Sequence, residues 1–258
     1  MAENKAISLR NVTMTYQVRG RPSMTALQDV TFEMEEGEFV AIVGPSGCGK
    51  STMLKLATGL LAPTSGTVRV FGAPVDSKHP PKVGIAFQSP VLMKWRTIYD
   101  NVRLPLEVLG LQDGTEKERV HELLEIAGIR EFADRYPKEL SGGMQQRASI
   151  CRALVHNPPL LLLDEPFGAL DAMTRSQMNI DLARIWARTR KSTLLITHSI
   201  DEAVFLADRV IVMSARPGRI QHEVHVDIPR PRDVSVRATP RFAELVSQIG
   251  EFIGFQFA

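Results

Sequence analysis

The sequence has no long apolar run. None of its hydrophobic stretches approaches the roughly 18–20 residues that cross a bilayer as a helix, and its first ten residues, MAENKAISLR, hold no signal-peptide core. Cysteine is scarce. Cys48 and Cys151 are the only two, which does not suit a disulfide framework, so both are expected as reduced thiols. Charge of one sign is lacking too: 31 Lys and Arg against 29 Asp and Glu leave +2, without the basic excess of a dedicated nucleic-acid binder. No internal repeat or low-complexity segment is evident. What remains is 258 residues, 44% hydrophobic and 23% charged. That composition predicts a globular, soluble, cytoplasmic chain with a substantial core, as one large domain or two small ones.

Five short apolar runs read as strands buried on both faces: FVAIV (39–43), VGIAF (83–87), LLLLD (160–164), TLLIT (193–197) and RVIVM (209–213). Four of them run into chemistry. Val43 is followed by Gly44, Phe87 by Gln88, Leu163 by Asp164 and Glu165, and Thr197 by His198. Open parallel sheets bind ligands beyond the carboxyl ends of their strands, so these four stations are candidates for one site.

The texture differs elsewhere. Residues 98–155 alternate helical periodicity with Gly and Pro, which predicts a helical insertion. TEKERVHELLEIAG (115–128) places Val120, Leu123, Leu124 and Ala127 on one face, with Gly128 as C-cap. The helix after LSGG is expected to bury Met144, Ala148, Cys151 and Val155, and to stop before Asn157-Pro158-Pro159. DAMTRSQMNIDLARIWARTR (171–190) is a further helix, belonging to the core. Residues 6–40 read as short strands with turns at Arg19-Gly20-Arg21-Pro22 and Glu36-Gly37.

GPSGCGKS (44–51) fits G-x-x-x-x-G-K-[ST] at every position, after a strand and before a helical pattern. Gly44, Gly47 and Gly49 let backbone N–H groups wrap phosphates, Lys50 reaches the outer phosphates, and Ser51 offers a hydroxyl to Mg²⁺. Asp164, after four leucines, is costly to bury unless it meets a cation, here Mg²⁺ through water. Glu165 points another way from the same strand end and is the candidate general base. Gln88 is a candidate Mg²⁺ ligand and γ-phosphate sensor. His198 is a candidate for bonding the γ-phosphate or orienting the water. Cys48 lies inside the glycine loop beside Lys50, either as a low-pKa thiol or as a buried inert one. LSGGMQQR (140–147) repeats the logic of the first loop: a Ser and two glycines before a helix present N–H groups to phosphate.

Together these residues resemble the nucleotide-binding subunit of ATP-binding-cassette (ABC) transporters over nearly the whole chain. GPSGCGKST matches Walker A, Gln88 the Q-loop, LSGGMQQR the signature, LLLLDEP Walker B, ALD (169–171) the D-loop and His198 the switch histidine. The resemblance implies a P-loop NTPase core, α/β with a mostly parallel RecA-like sheet, an N-terminal antiparallel β subdomain and an inserted helical subdomain. Its implied boundaries are 1–90 with 156–215 for the core, 91–155 for the helical part and 216–258 for a C-terminal extension. ATP would be held by Tyr16, stacking on adenine, by Gly44, Pro45, Ser46, Gly47, Cys48, Gly49, Lys50, Ser51 and Thr52, and by Gln88, Asp164 and His198. Mg²⁺ would be held by Ser51, Gln88 and Asp164. Glu165, His198, Lys50 and Gln88 would be catalytic. Subunits of this family pair head to tail, which implies that Ser141, Gly142, Gly143, Gln145 and Asp171 face the partner's ATP.

One cassette, no membrane helices and no long coiled coil between Ser51 and Leu160 narrow the branch. FQSPVLMKWRTIYDNVRLPLEVLG (87–110) and SARPGRI (214–220) resemble the nitrate/sulfonate/taurine import group. The implied function is an ATPase subunit powering import of a small anionic or nitrogen- or sulfur-containing solute. The implied partners are a second ATP-binding subunit (itself or a close paralogue), integral membrane permease subunits and, indirectly, a periplasmic or extracellular solute-binding protein, with no nucleic acid. The place of work is the cytoplasmic face of the membrane, peripherally. An exporter or lipid-moving subunit, or a non-transport ABC ATPase, are the alternatives. Val91, Leu92, Met93 and Trp95 are either core or a groove for the permease. Arg230, Arg232, Arg237 and Arg241 read as a solvated face rather than as contacts for lipid headgroups or the partner.

Overall fold

The computed structural model describes residues 5–17, 20, 22–76, 80–111 and 114–254. In chain order its elements are β1 (Lys5–Tyr16), β2 (Met24–Glu35), β3 (Phe39–Val43), α1 (Lys50–Ala57), β4 (Ser65–Val70), β5 (Ala73–Pro74), β6 (Val83–Phe87), α2 (Ile98–Val108), α3 (Glu116–Ile126), α4 (Gly142–Leu154), β7 (Leu160–Asp164), α5 (Ala172–Thr189), β8 (Ser192–Ile196), α6 (Ile200–Leu206), β9 (Arg209–Met213), β10 (Ile220–His225) and α7 (Pro240–Ile253). They fall into two compact units, one drawn from Met1–Pro81 and Ser192–Ala258, the other from Lys82–Lys191. Among the described residues no helix is long and apolar enough to cross a membrane.

The first unit holds an antiparallel sheet in the order β2-β1-β4-β5. Its two leading strands are longer than the short strands read from sequence. The reason is a bulge. Asn11 and Asp29 adopt left-handed backbone at φ 50, and Asn11 Nδ2 donates to Asp29 Oδ1 at 3.0 Å. Asn and Asp tolerate that conformation, and the pairing of β1 shifts register there with both neighbours. The bulge breaks the alternation in mid-strand, so one strand reads as two. The turn at Glu36-Gly37 is present. Of the other expected turn, Arg19 and Arg21 lie outside the described residues.

The same unit places β3 between β8 and β9, parallel to both, with β10 antiparallel to β9. Every residue of β3 and β8 is buried, as apolar runs in covered parallel strands should be. Ile42 pairs with Ile196, so Gly44 and His198 leave the sheet at the same end. The end of α6, the turn before β9 and the chain from β10 to α7 are tied together by arginines, contrary to the expected solvated face. Arg232 is only 6% exposed. Its guanidinium donates to the carbonyls of Ile228, Val204, Phe205, Ala207 and Val226, and burial lowers its pKa to about 10. Arg230 bonds Asp208 at 2.8 Å, and Arg237 lies over the Phe205 ring. Only Arg241 of the four is well exposed in an ion-pair cluster, with Asp227 and Glu244. Residues left without helix or strand partners leave carbonyls to satisfy, and a five-donor side chain does this best.

The second unit pairs β6 with β7 in parallel, from Val83 opposite Leu160 to Phe87 opposite Asp164. β7 is buried, but β6 alternates, and Phe87 is 42% exposed. This strand is therefore not buried on both faces. Helix α4 packs directly on β6: a side chain on Gly84 would stand 2.1 Å from the Ala153 carbonyl. Gly128 ends α3 at φ 66, its N–H donating to Glu125 O at 3.0 Å. On α4 and at its C-cap, Ala148, Cys151 and Val155 are buried as expected, whereas Met144 is only partly covered. Arg147 and Asp181 join α4 to α5 at 2.6 Å.

Candidate nucleotide site

In the first unit β3 delivers the chain into GPSGCGKS, and the glycines there are dictated by space as well as conformation. A Cβ on Gly44 would meet the Met213 carbonyl at 2.8 Å. Gly49 (φ 102) is the N-cap of α1, and its Cβ would meet Leu27 at 2.6 Å. No side chain caps α1, so its first N–H groups are left to an incoming acceptor. Lys50 is only 6% exposed. Its Nζ donates to Gly44 O at 2.8 Å and Pro45 O at 3.1 Å. Among the described residues no carboxylate pairs with it. A buried ammonium neutralised by carbonyl dipoles alone suits a phosphate chain. The loop therefore fits the triphosphate that its sequence implies.

Tyr16 and Thr52 stand together, hydroxyl to hydroxyl at 3.2 Å, which sets the Tyr16 ring beside the first turn of α1. Cys48 is fully buried, with its sulfur 3.9 Å from Lys50 Nζ. His198 is exposed. The loop that carries it is fixed from both sides, by Thr197 Oγ1 donating to Glu202 Oε2 at 2.7 Å and by Ser199 N–H donating to Thr197 Oγ1 at 3.0 Å.

In the second unit the register that sets Phe87 opposite Asp164 brings Gln88, Asp164 and Glu165 to neighbouring strand ends. Gly168 closes over them: its N–H donates to Glu165 O at 3.0 Å, and a Cβ on it would stand 2.9 Å from Gln88 Nε2. Glu165 has φ 47, an uncommon conformation for a residue with a side chain and one that concentrates at working sites.

The signature and the D-loop also meet in this unit. Ser141 is the N-cap of α4, accepting from Met144 N–H at 3.3 Å. Asp171 caps α5, accepting from Met173 and Thr174 N–H at 3.1 and 3.0 Å. The Thr174 bond and the others hold the Asp171 carboxyl below its ordinary pKa. A Cβ on Gly143 would press to 2.7 Å from Thr174 Cγ2, whereas one on Gly142 would touch Leu170 at an ordinary 3.5 Å. Gln145 Nε2 is committed to the carbonyls of Pro137 and Leu140, so it shapes the loop ahead of the signature.

Two residues escaped the sequence reading. Gln146, only 1% exposed, donates to Phe87 O at 2.9 Å. Arg152 donates to Pro90 O at 2.7 Å and Val91 O at 2.8 Å, and burial lowers its pKa. Both fasten α4 to the backbone around Gln88. The available signal was a glutamine at a buried position of an amphipathic helix. Nearby, Trp95 is 75% exposed and Val91 65%, so neither is core. Cys151, by contrast, is buried so deeply that its pKa rises to about 12, which makes it inert.

The family model described as ABC transporter matches residues 27–168. A Brucella abortus (strain 2308) protein described only as ATP-binding is 44% identical over 243 residues, 94% of this chain and 91% of the relative. The taurine import ATP-binding protein TauB of Rhizobium johnstonii is 42% identical over 248 residues, 94% of each chain. The dimeric structure of MJ0796, a bacterial ABC transporter cassette, superposes with a TM-score of 0.75 at 36% identity, covering 86% of this chain and all of that one. The same cassette has been solved in a post-hydrolysis state bound to ADP and Pi, with a TM-score of 0.74. With its phosphate loop, its strand-end carboxylates and these relatives, the chain belongs to the ABC transporter family as one of its ATP-hydrolysing subunits, with the P-loop NTPase fold of an ABC cassette.

Proposed function

We propose that this chain powers import of a small anionic or nitrogen- or sulfur-containing solute, a sulfonate first among them, as the ATPase of a membrane complex. The observation that carries the direction of transport is the likeness to an import ATP-binding protein over 94% of both chains. The reading includes a second copy or close paralogue as partner, permease subunits in the membrane, a solute-binding protein outside, and a peripheral position on the cytoplasmic face. It also keeps the division into a core (1–90 and 156–215), a helical part (91–155) and a C-terminal extension (216–258).

In this reading the loop 44–52 and Tyr16 bind ATP. Lys50 holds the outer phosphates, and Ser51, Gln88 and Asp164 hold Mg²⁺, which neutralises charge on the phosphate oxygens. Glu165, in left-handed backbone, takes the proton of the attacking water. His198, on its braced loop, orients that water or the γ-phosphate. Ser141, Gly142, Gly143, Gln145 and Asp171 serve the partner's site, so closure of the pair depends on a phosphate held between them. The exposed Val91 and Trp95 lie next to the segment fastened by Arg152, and dock the permease. The test is co-purification with permease subunits and reconstitution in vesicles. Sulfonate-loaded binding protein should stimulate hydrolysis and uptake. Stimulation by DNA or ribosomes, or solute efflux, would sink the reading.

A further inference from the structure

The turn SARPGRI (214–220) lies against the phosphate loop. Ser214 closes it, donating its N–H to Arg219 O and accepting from Arg219 N–H at its Oγ, both at 2.9 Å. Gly218 docks it on β2, its N–H donating to Ala26 O at 2.9 Å and its carbonyl accepting from Gln28 N–H at 3.0 Å. A Cβ on Gly218 would stand 1.8 Å from the Cys48 carbonyl, so only glycine allows this approach. The turn so fixed aims Arg216 at the loop. Its Nε and Nη2 donate to Gly47 O at 3.2 and 3.1 Å, and Nη1 stands 3.0 Å from Met24 Sδ. Met24 is the cross-strand neighbour of Tyr16.

Arg216 is exposed, and among the described residues no carboxylate stands within ion-pair distance of it. A guanidinium carries five N–H donors. Here two are spent on one carbonyl and one on a sulfur, which is a weak acceptor. An unbalanced charge with two spare donors thus stands at the rim of the phosphate loop, toward the strand pair that carries Tyr16.

We propose that Arg216 is a nucleotide-binding residue, whose charge takes the phosphate chain of the nucleotide while its fork holds the outer carbonyl of Gly47. The proposal rests on the nucleotide reading of the loop. Its rival is an arginine that only braces the loop, and the two differ in whether charge matters. Arg216→Gln keeps an amide donor for Gly47 O and removes the charge, whereas Arg216→Lys keeps the charge. The full chain is titrated with Mg·ADP by calorimetry at 50 and 500 mM salt, with melting curves taken without nucleotide.

At low salt R216Q should bind ADP about ten-fold more weakly than wild type, and R216K within about three-fold. The gap between wild type and R216Q should narrow at high salt, where exposed charges are screened. If R216Q binds like wild type, or if both variants are equally weak at either salt, Arg216 is only a brace and the proposal falls. Should R216Q fail to fold, R216K decides: wild-type affinity and salt slope support the proposal, and loss of affinity overturns it. A wild-type chain that binds no adenine nucleotide overturns the nucleotide reading itself.

Discussion

Two helices of this protein begin at glycine-rich segments that we propose read phosphate, and they begin differently. Helix α1 starts at Gly49, with no side chain capping its N–H groups and a buried lysine in its first position. Helix α4 starts at Ser141, whose own hydroxyl takes the Met144 N–H, and it has no basic residue in its first turn. An exposed helix N-terminus alone offers an anion about 0.3–1 kcal/mol. The first adds an ammonium and a wrapped loop, which suits a binding site by itself. The second is too weak to hold a nucleotide alone, and is suited to reading one that is already held. That asymmetry is what an ATP-dependent pairing of two subunits requires.

Abolishing hydrolysis without touching either reader should give the largest effect. Glu165→Gln removes the proposed base and leaves Lys50 and Asp164. Turnover should fall by roughly 10²–10⁴-fold, while ATP binding persists and a dimer accumulates on size exclusion in Mg·ATP. Normal turnover by this variant would take Glu165 out of the role.

The comparison itself is tested by Ser141→Arg. It should leave ADP affinity of the isolated subunit within about two-fold, since the first reader is intact, yet reduce cooperative hydrolysis by at least about ten-fold, because the long side chain fills the space between the two surfaces that must close on the phosphate. Mixing it with Lys50→Ala should restore part of the activity, because one of the two composite sites in a mixed dimer carries neither defect. If heterodimers form and no mixture recovers, the composite arrangement is wrong.

Next in size is assembly with the permease. Trp95→Ala should leave the melting temperature and basal ATPase of the isolated subunit unchanged, since the ring is exposed. It should weaken assembly by about 2 kcal/mol if the ring is an interface anchor. Pull-down by the permease measures this, and unaltered capture would place docking elsewhere.

The smallest effect separates the two glycines of the signature. Gly143→Ala forces a contact at 2.7 Å with Thr174 and should cost about 1–3 kcal/mol of stability. Adding Thr174→Ser, which deletes the offending methyl, should recover most of it. Gly142→Ala meets only ordinary contact and should be neutral or stabilising by up to about 1 kcal/mol. Chemical denaturation ranks the three. Equal losses at 142 and 143 would mean that packing does not distinguish them.

Much of this protein is legible before folding. β3, β6, β7 and β9 are short, mostly apolar runs whose ends were read to the residue, and β8 is shifted by one, because such strands keep polar residues such as Arg209 and Asp164 to their ends. The phosphate loop is equally legible: its glycines and lysine stand at spacings that local backbone geometry dictates, and the structure adds only their distances. Ser141 and Asp171 cap their helices through contacts only two or three residues away, a local device that the reading of them as partner-facing residues passed over.

Other features depend on residues far apart in the chain, and composition carries no mark of them. Arg232 looks like a surface arginine in PRPRDVSVR, and becomes a buried tie only because five carbonyls converge on it. Gln146 and Arg152 look like ordinary helix residues until β6 and its following loop lie beneath them. Arg216 meets Gly47 across 169 residues of sequence. The sequence alone determined which chemistry this chain carries, because phosphate-binding loops, caps and buried strands are local and their residue types are forced. Only the tertiary structure decided which side chains brace that chemistry, because a carbonyl left unpaired by one segment can be satisfied by any donor the fold brings within about 3 Å.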